Sequence, residues 1–510
     1  MTSLYRHLVL PLAFVGLLLA GCSDSLIGSS DQASQTEVEV GPKLRHAHLL
    51  DKALRTGTNQ FSAGKRPNEL GIIFKIKPYR LMERYALLER YRLFERYRLM
   101  ERFEYSEAFG GFAVTITDTT GGSDFAGILT AFQADPEIEW LEPDFAVDTP
   151  ESASLTGHSG QKIPWSVAYI GGDKSSTVSG DGAGSVDVDV YIVDSGVTND
   201  DINIVESIDF RDSLGTGIVD PTDVDGHGTH IAGIIAAMDN ADGLVGVAPG
   251  ARIHNLKVLG DNGSTDVSVV VAAIEYIIKA RLANPTTPMV VNLSLGEDIG
   301  TPGYTALDES VAYLVGLGAT VVVAAGNQGI NSSGVTPAHV ESVITVGAHD
   351  QNGDFAPYSN WGPQVDILAP GTDVVSLSPM LGGFGTPVKM SGTSMAAPHV
   401  AGAAALYLSK NPTASPAAVL AALLESSRSG VALTGGATTN KSVFVGTFCV
   451  LLSRFFRTAG AAFCSSGGFR FCIFRNRLHR RGKAFLWTPG YPNHPCLRYG
   501  YRSLHGLLND

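Results

Sequence analysis

The sequence predicts an α/β fold, a mostly parallel sheet with helices on both faces, preceded by a small α+β module. Three observations carry this. Residues 161–446 alternate short apolar segments with longer amphipathic ones, the pattern of buried parallel strands joined by crossover helices. Residues 65–148 hold shorter strand-like runs around helical ones. Residues 23–448 contain no Cys, so a packed core rather than disulfides must hold this body.

At the N-terminus, Arg6 precedes an apolar stretch from Leu8 to Ala20. A spanning helix needs ~20 residues, so the stretch is too short for a membrane anchor. It ends in Leu19-Ala20-Gly21-Cys22, which resembles a bacterial lipobox. Residues 1–21 therefore read as a signal peptide, Cys22 as a lipid acceptor, and the polar stretch 23–64 as a flexible tether. An acylated Cys22 would anchor the exported chain to a membrane of the cell envelope. The alternative is an ordinary secretory signal with an incidental Cys.

The small module spans 65–148. Gly71–Lys77 is a strand stopped by Pro78. Four copies of a Tyr-x-Leu-x-Glu-Arg repeat fill 79–102 without Gly, Pro or β-branched residues, which predicts helix. A six-residue period turns about 600° around a helix, so no single apolar face results and the repeats read as an exposed duplication. A strand at Gly111–Ile116, a helix at 124–134 and a strand at Ile138–Asp144 follow. These runs are read as the β-α-β-β-α-β order of a ferredoxin-like module, with one of its four strands not assigned to a run. Residues 149–160 form a Ser/Gly/Pro-containing linker, a natural processing region.

In the larger body, Val186–Val193, Ala251–Val258, Met289–Leu293, Thr320–Ala324 and Ser342–Val346 read as buried strands. His227–Met238, Thr265–Ala280 and Ala306–Leu317 read as helices. Beyond 447 the composition changes: residues 447–510 carry ten Lys+Arg, one acid, four of the five Cys and eight of the 22 Phe. This tail is either a small disulfide-bearing domain or an out-of-frame extension, and its lack of periodic strands favours the second. The net charge of −13 argues against a general nucleic-acid binder.

Four segments carry chemistry. Val190–Gly196 is an apolar strand ending in Asp194, at the strand end where α/β proteins place sites; alone, such an Asp is more often a turn residue. His227 opens the helix of Asp225-Gly-His-Gly-Thr-His230, where an imidazole can exchange a proton near neutral pH. His227 and His230 lack a third ligand, so zinc is disfavoured. Val321–Asn327 ends a buried strand in an amide that could donate to an oxyanion, or could simply turn the chain. Ser391-Gly-Thr-Ser394 precedes an Ala-rich run, placing Ser394 at a helix start as a nucleophile or as a cap.

Together, in order, wording and spacing, these segments resemble the subtilisin-like serine peptidases, the subtilases; Asp, His, Ser is subtilisin's own chain order. Gly246-Val-Ala-Pro249, Leu256–Gly260, Val291–Gly296 and Ala369-Pro-Gly371 extend the resemblance over 161–446. It implies a serine endopeptidase in which Asp194 orients His227, His227 is general base and acid, Ser394 is the nucleophile, and Asn327 with the Ser394 N–H forms the oxyanion hole. It implies that Ser294, Leu295 and Gly296 run beside the backbone of protein or peptide substrates, which favours broad specificity. Residues 65–148 would be the chain's own inhibitor and chaperone, and the enzyme a monomer. A structural calcium ion is implied, with Gln161, Asn203, Met238, Asn240, Asp242 and Leu244 as ligands, and no cofactor for catalysis. The competing class is a non-catalytic surface-binding protein on the same fold; reaction with a Ser-directed fluorophosphonate separates the two.

Overall fold

The computed structural model describes residues 44–46, 48–49, 69–76, 99–117, 123–135, 138–148, 152–154, 161–182, 184–211, 220–300, 303–380, 385–437 and 439–447, all within the unit Val40–Asp510. The signal stretch with Cys22, the repeats from 79 to 98 and the tail from 448 lie outside them.

The small module is an antiparallel sheet of β1 (Glu69–Ile76), β2 (Met100–Tyr105), β3 (Gly111–Thr117) and β4 (Ile138–Pro143), in the order β2-β3-β1-β4. Helix α1 (Ser123–Ala134) covers one face. Alternate residues Ile72 and Phe74 meet Phe112, Val114, Phe132 and Leu141 in one core, as period-2 strands require. That strand order is the one a ferredoxin-like module has.

Two expectations are corrected in this module. The last repeat was expected to be helical to 102, but Met100 and Glu101 pair with Thr115 and Val114 of β3. Sheet pairing overrides a helical propensity worth only tenths of a kcal/mol per residue, roughly. The stretch 23–64 was expected to be a flexible tether, yet Leu44 and Arg45 within it are docked. Leu44 bridges Leu141, the Arg45 N–H donates to the Leu141 carbonyl at 2.9 Å, and the Arg45 guanidinium lies 4.0 Å over the Trp140 ring.

After the module, β5 (Ala146–Asp148) and β6 (Ser152–Ser154) are short. The central sheet takes β7 (Asp189–Asp194), β8 (Ile204–Asp209), β9 (Arg252–Lys257), β11 (Met289–Leu293), β13 (Thr320–Ala324), β15 (Ile344–His349) and β16 (Ile367–Pro370), with β19 (Arg428–Ser429) and β20 (Lys441–Ser442) at one edge. Its order is β19-β20-β16-β15-β13-β11-β7-β9-β8, parallel except for the β19–β20 pair. The remaining strands are β10 (Ser264–Asp266), β12 (Glu297–Asp298), β14 (Val335–Thr336), β17 (Val374–Ser376) and β18 (Val388–Met390).

Side chains along each central strand feed two cores in turn. Val190, Ile192, Val322 and Ala324 join the core under helices α3 (His227–Ala236) and α6 (Thr393–Lys410). Tyr191, Val193, Val321 and Val323 join the opposite core under α4 (Val267–Ala283) and α5 (Ala306–Gly316). This double burial is why these strands read as unbroken apolar runs. The short α2 (Trp165–Tyr169) and the C-terminal α7 (Pro416–Ser426) complete the helices named here.

Helix α3 stops at Ala236, two residues before the expected end. Its last carbonyls find donors in the returning chain: Val247 N–H to Ile234 at 2.9 Å, Ala248 N–H to Ile235 at 2.7 Å and Gly250 N–H to Ala236 at 3.1 Å. The helix end is thus satisfied without water.

Candidate active site

Asp194 ends β7, and its carbonyl accepts the Val258 and Leu259 N–H groups, so the strand end is fixed by the chain that follows β9. Gly196 follows at φ 114°, and a Cβ there would lie 2.7 Å from the Pro221 carbonyl. A Cβ on Gly228, in the first turn of α3, would collide with the Gly196 carbonyl. The two glycines therefore let the strand end and the helix start meet backbone to backbone.

That approach brings His227 Nδ1 to 2.8 Å from Asp194 Oδ1, both groups fully buried. The same oxygen accepts the Ser195 N–H at 2.7 Å. Because a carboxylate only accepts, Nδ1 carries the proton and Nε2 is the basic nitrogen. Nε2 makes no hydrogen bond. Burial alone would push the His227 ring down, but Asp194, with Asp225 and Asp223 around it, outweighs burial and raises it above 6.5. His230, buried on the next turn, is pushed by burial and by His227 down to about 3. It is a neutral core residue, with Nε2 3.2 Å from the Val374 and Val388 carbonyls.

Ser394 is the second residue of α6, at a helix start whose N–H groups and dipole suit a developing anion. Pro398, four residues on, has no N–H for the Ser394 carbonyl. Ser294 Oγ supplies that hydrogen bond at 2.9 Å, and Ser394 Oγ donates back to the Ser294 carbonyl at 3.2 Å. The hydroxyl is thus turned to Ser294 and not to His227, a resting arrangement of the kind common before substrate binds.

Asn327 sits just beyond β13. Its Oδ1 accepts the Thr393 N–H at 2.8 Å and the Thr393 hydroxyl at 3.0 Å. With the oxygen so held, Nδ2 is the end of the amide left to donate toward the cleft. Asn327, Thr393 and Ser394 line a cavity of about 240 Å³ together with Ser294, Leu295 and Gly296. The expected substrate-side residues and the expected nucleophile therefore share one cleft. A Cβ on Gly296 would lie 2.6 Å from the Thr336 carbonyl, which keeps this wall thin.

The expected calcium ligands come together except one. Gln161 Nε2 lies 2.9 Å from the Met238 carbonyl and 3.3 Å from Asn240 Oδ1. The Asp242 N–H also points at Asn240 Oδ1, at 2.9 Å. Leu244 bridges Lys162, the neighbour of Gln161. Asn203 is the exception: its amide donates to the Gly250 carbonyl at 3.0 Å. Asp201 takes its place, 2.6 Å from Asn240 Nδ2, with Oδ2 buried and without a partner. The orphaned carboxylate oxygen of Asp201, on a residue bonded to the Asn240 carboxamide, is an acceptor that fits a hard cation. Among the described residues no group of three or more His, Cys, Asp and Glu side chains could hold a metal, so a site here would not be a carboxylate cluster.

The Subtilase family profile matches residues 185–446. Subtilisin DY of Bacillus licheniformis is 40% identical over 264 residues, 51% of this chain and 89% of that protein. An alkaline protease of Alkalihalobacillus alcalophilus is 37% identical over 286 residues, 56% of this chain and 67% of the relative. Subtilisin E of Bacillus subtilis (strain 168) is 36% identical over 281 residues, 54% and 69% of the two chains. A solved cold adapted subtilisin-like serine proteinase shares 31% identity over 55% of this chain and 97% of its own, with a TM-score of 0.47. The matched span contains Asp194, His227, Asn327 and Ser394, and the chain belongs to the subtilase family, the subtilisin-like serine endopeptidases.

Proposed function

We propose that the chain is an exported, lipid-anchored endopeptidase of broad specificity, made as a zymogen that cuts itself. In this reading Ser394 Oγ leaves the Ser294 carbonyl, gives its proton to His227 Nε2 and attacks the substrate carbonyl. Asp194 stabilises the imidazolium, and the Asn327 amide and Ser394 N–H hold the oxyanion. His227 then returns the proton to the leaving amine.

One observation carries the zymogen reading. The chain leaving the small module pairs first through β5 with β10, Asp148 opposite Ser264, and then through β6 with β18, Ser154 opposite Val388. Strand β18 leads within four residues to Ser394. The linker thus reaches from one strand partner to another beside the nucleophile, as a substrate does in strand-addition recognition. The bond to be cut falls between Asp148 and Ser152. Ser394→Ala, expressed as the full chain, is expected to accumulate uncut; its cleavage at the normal rate in purified form would remove Ser394 as the processing nucleophile.

The export reading rests on Arg6, the apolar stretch and Cys22. Cys22→Ser is expected to move the protein from the membrane fraction to the soluble one. A calcium ion held by Gln161, Asp201, Asn240 and the Met238 and Leu244 carbonyls would tie the segment before α2 to the loop after α3. It would serve stability and not the chemical step.

A further inference from the structure

We propose that Ser195 and Asp223 are positioning residues that set the register of the Asp194–His227 pair. This rests on the reading of that pair as the proton-transfer couple. Helix α3 is preceded by Gly226, which has no side chain to cap it, so its first N–H groups need acceptors from elsewhere. They find three. The His227 N–H donates to Asp225 Oδ1 at 3.1 Å, the Gly228 N–H to Ser195 Oγ at 2.9 Å and the Thr229 N–H to Asp223 Oδ2 at 2.9 Å.

The middle bond joins the residue after Asp194 to the residue after His227. It is a second rung beside the Asp194–His227 bond, one residue further along both chains. Asp223 locks that rung. Its Oδ1 accepts the Ser195 hydroxyl at 2.9 Å and the Gly226 N–H at 2.8 Å. Its Oδ2 accepts the Thr229 hydroxyl as well as the Thr229 N–H. From the other side, the buried Lys257 ammonium donates to the Ser195 carbonyl, and to the Thr222 carbonyl at 2.9 Å. Ser195 and Asp223 are both buried, and neither lines the cleft with Ser394. A hydroxyl serves here because it must accept from the helix and donate to the carboxylate at once.

The plain alternative is that both residues only cap a helix. Positioning makes a different demand, because displacement of a catalytic group by about 1 Å costs up to ~10²-fold in rate. The experiment uses the full chain after self-processing, with active sites counted by a fluorophosphonate. Ser195→Ala and Asp223→Asn are expected to lower kcat per active site by roughly 10–100-fold, with KM changed less than about threefold. His227 is faced by Asp194, Asp223 and Asp225 and by buried His230. Removing the Asp223 charge makes the imidazolium harder to form, so the acid limb of kcat/KM is expected to move to lower pH.

Thr345→Val is the control. It deletes a buried hydroxyl bond of 2.7 Å to the Ala338 carbonyl, away from the site. It is expected to lower Tm alone. Ser195→Ala with kcat per site within about twofold of wild type overturns the proposal, as does an equal kcat loss in Thr345→Val at equal Tm loss. If Ser195→Ala does not fold, the near-isosteric Asp223→Asn is held to the same criteria. Failure of the wild-type chain to react with the fluorophosphonate would instead sink the underlying couple.

Discussion

Single side chains divide into those a sequence exposes and those only packing can place. Asp194, His227, Asn327 and Ser394 were legible because each sits where an apolar strand or an Ala-rich helix visibly starts or stops. The roles of Ser195 and Asp223 were not, because a Ser or Asp in a loop carries no mark of which helix it caps. Asn203 shows the same limit. The family resemblance offered Asn203 to the loop after α3, but the backbone turns Asp201 and not Asn203 toward Asn240. Calcium is expected to raise the Tm of wild type and of Asn203→Ala by the RT ln(1 + [L]/Kd) of a bound ion, and to leave Asp201→Asn unmoved. Asn327→Leu should lower kcat by ~10²–10³-fold with KM little changed, the loss that one such donor has in subtilisin itself. A steady-state comparison on one peptide substrate decides it. With His227 as the base of the proposed mechanism, and its ring raised above 6.5, kcat/KM should fall on acidification at a pH above that of an ordinary histidine. A pH profile of the processed enzyme checks the sign.

At the level of elements, β7, β11 and β13 followed their apolar runs to within three residues at either end, because burial on both faces favours apolar residues along the whole strand. Strand β8 was not foreseen: it is an edge strand, its exposure alternating with partial cover, and it has no such run. The repeats misled for a related reason, since propensity alone cannot know that β3 lies waiting as a partner. Their last residue is also the one that matters. Arg102 donates to Asp144 of the small module at 2.6 Å and to Asp266 of the large body at 2.8 Å. Asp144 accepts the Ser268 N–H at the start of α4, and Glu142 accepts the Ala306 N–H at the start of α5. The module thus caps two helices of the body it covers. Arg102→Ala leaves two buried carboxylates facing each other without the cation, at a cost of roughly 3–5 kcal/mol. It should release the cut module markedly faster, whereas deletions confined to 79–98 should not; gel filtration of the processed mixture distinguishes them.

The whole molecule has a predictable weakness to acid. His230 and His399 are buried, and burial pushes each down to about 3. The unfolded chain takes up their protons near pH 6.5 while the folded chain does not. Stability should therefore fall continuously as pH drops from about 6.5 toward 3 and be complete above that window. Urea midpoints measured across this range should decline, and His399→Asn should decline less steeply. With a body free of Cys from 23 to 448, no disulfide offsets this loss.

The pairing of β5 and β6 on either side of the linker has a consequence for time rather than for structure. Cutting the linker removes one covalent bond but none of the strand pairs, caps or ion pairs that hold the two halves. On the proposed self-cleavage, each molecule would therefore stay switched off after its own cut, and the first few to shed their module would act on the modules of the rest. Activity after synthesis should rise along a lagging, sigmoidal curve whose delay shortens as protein concentration increases. A population would thus come on nearly together.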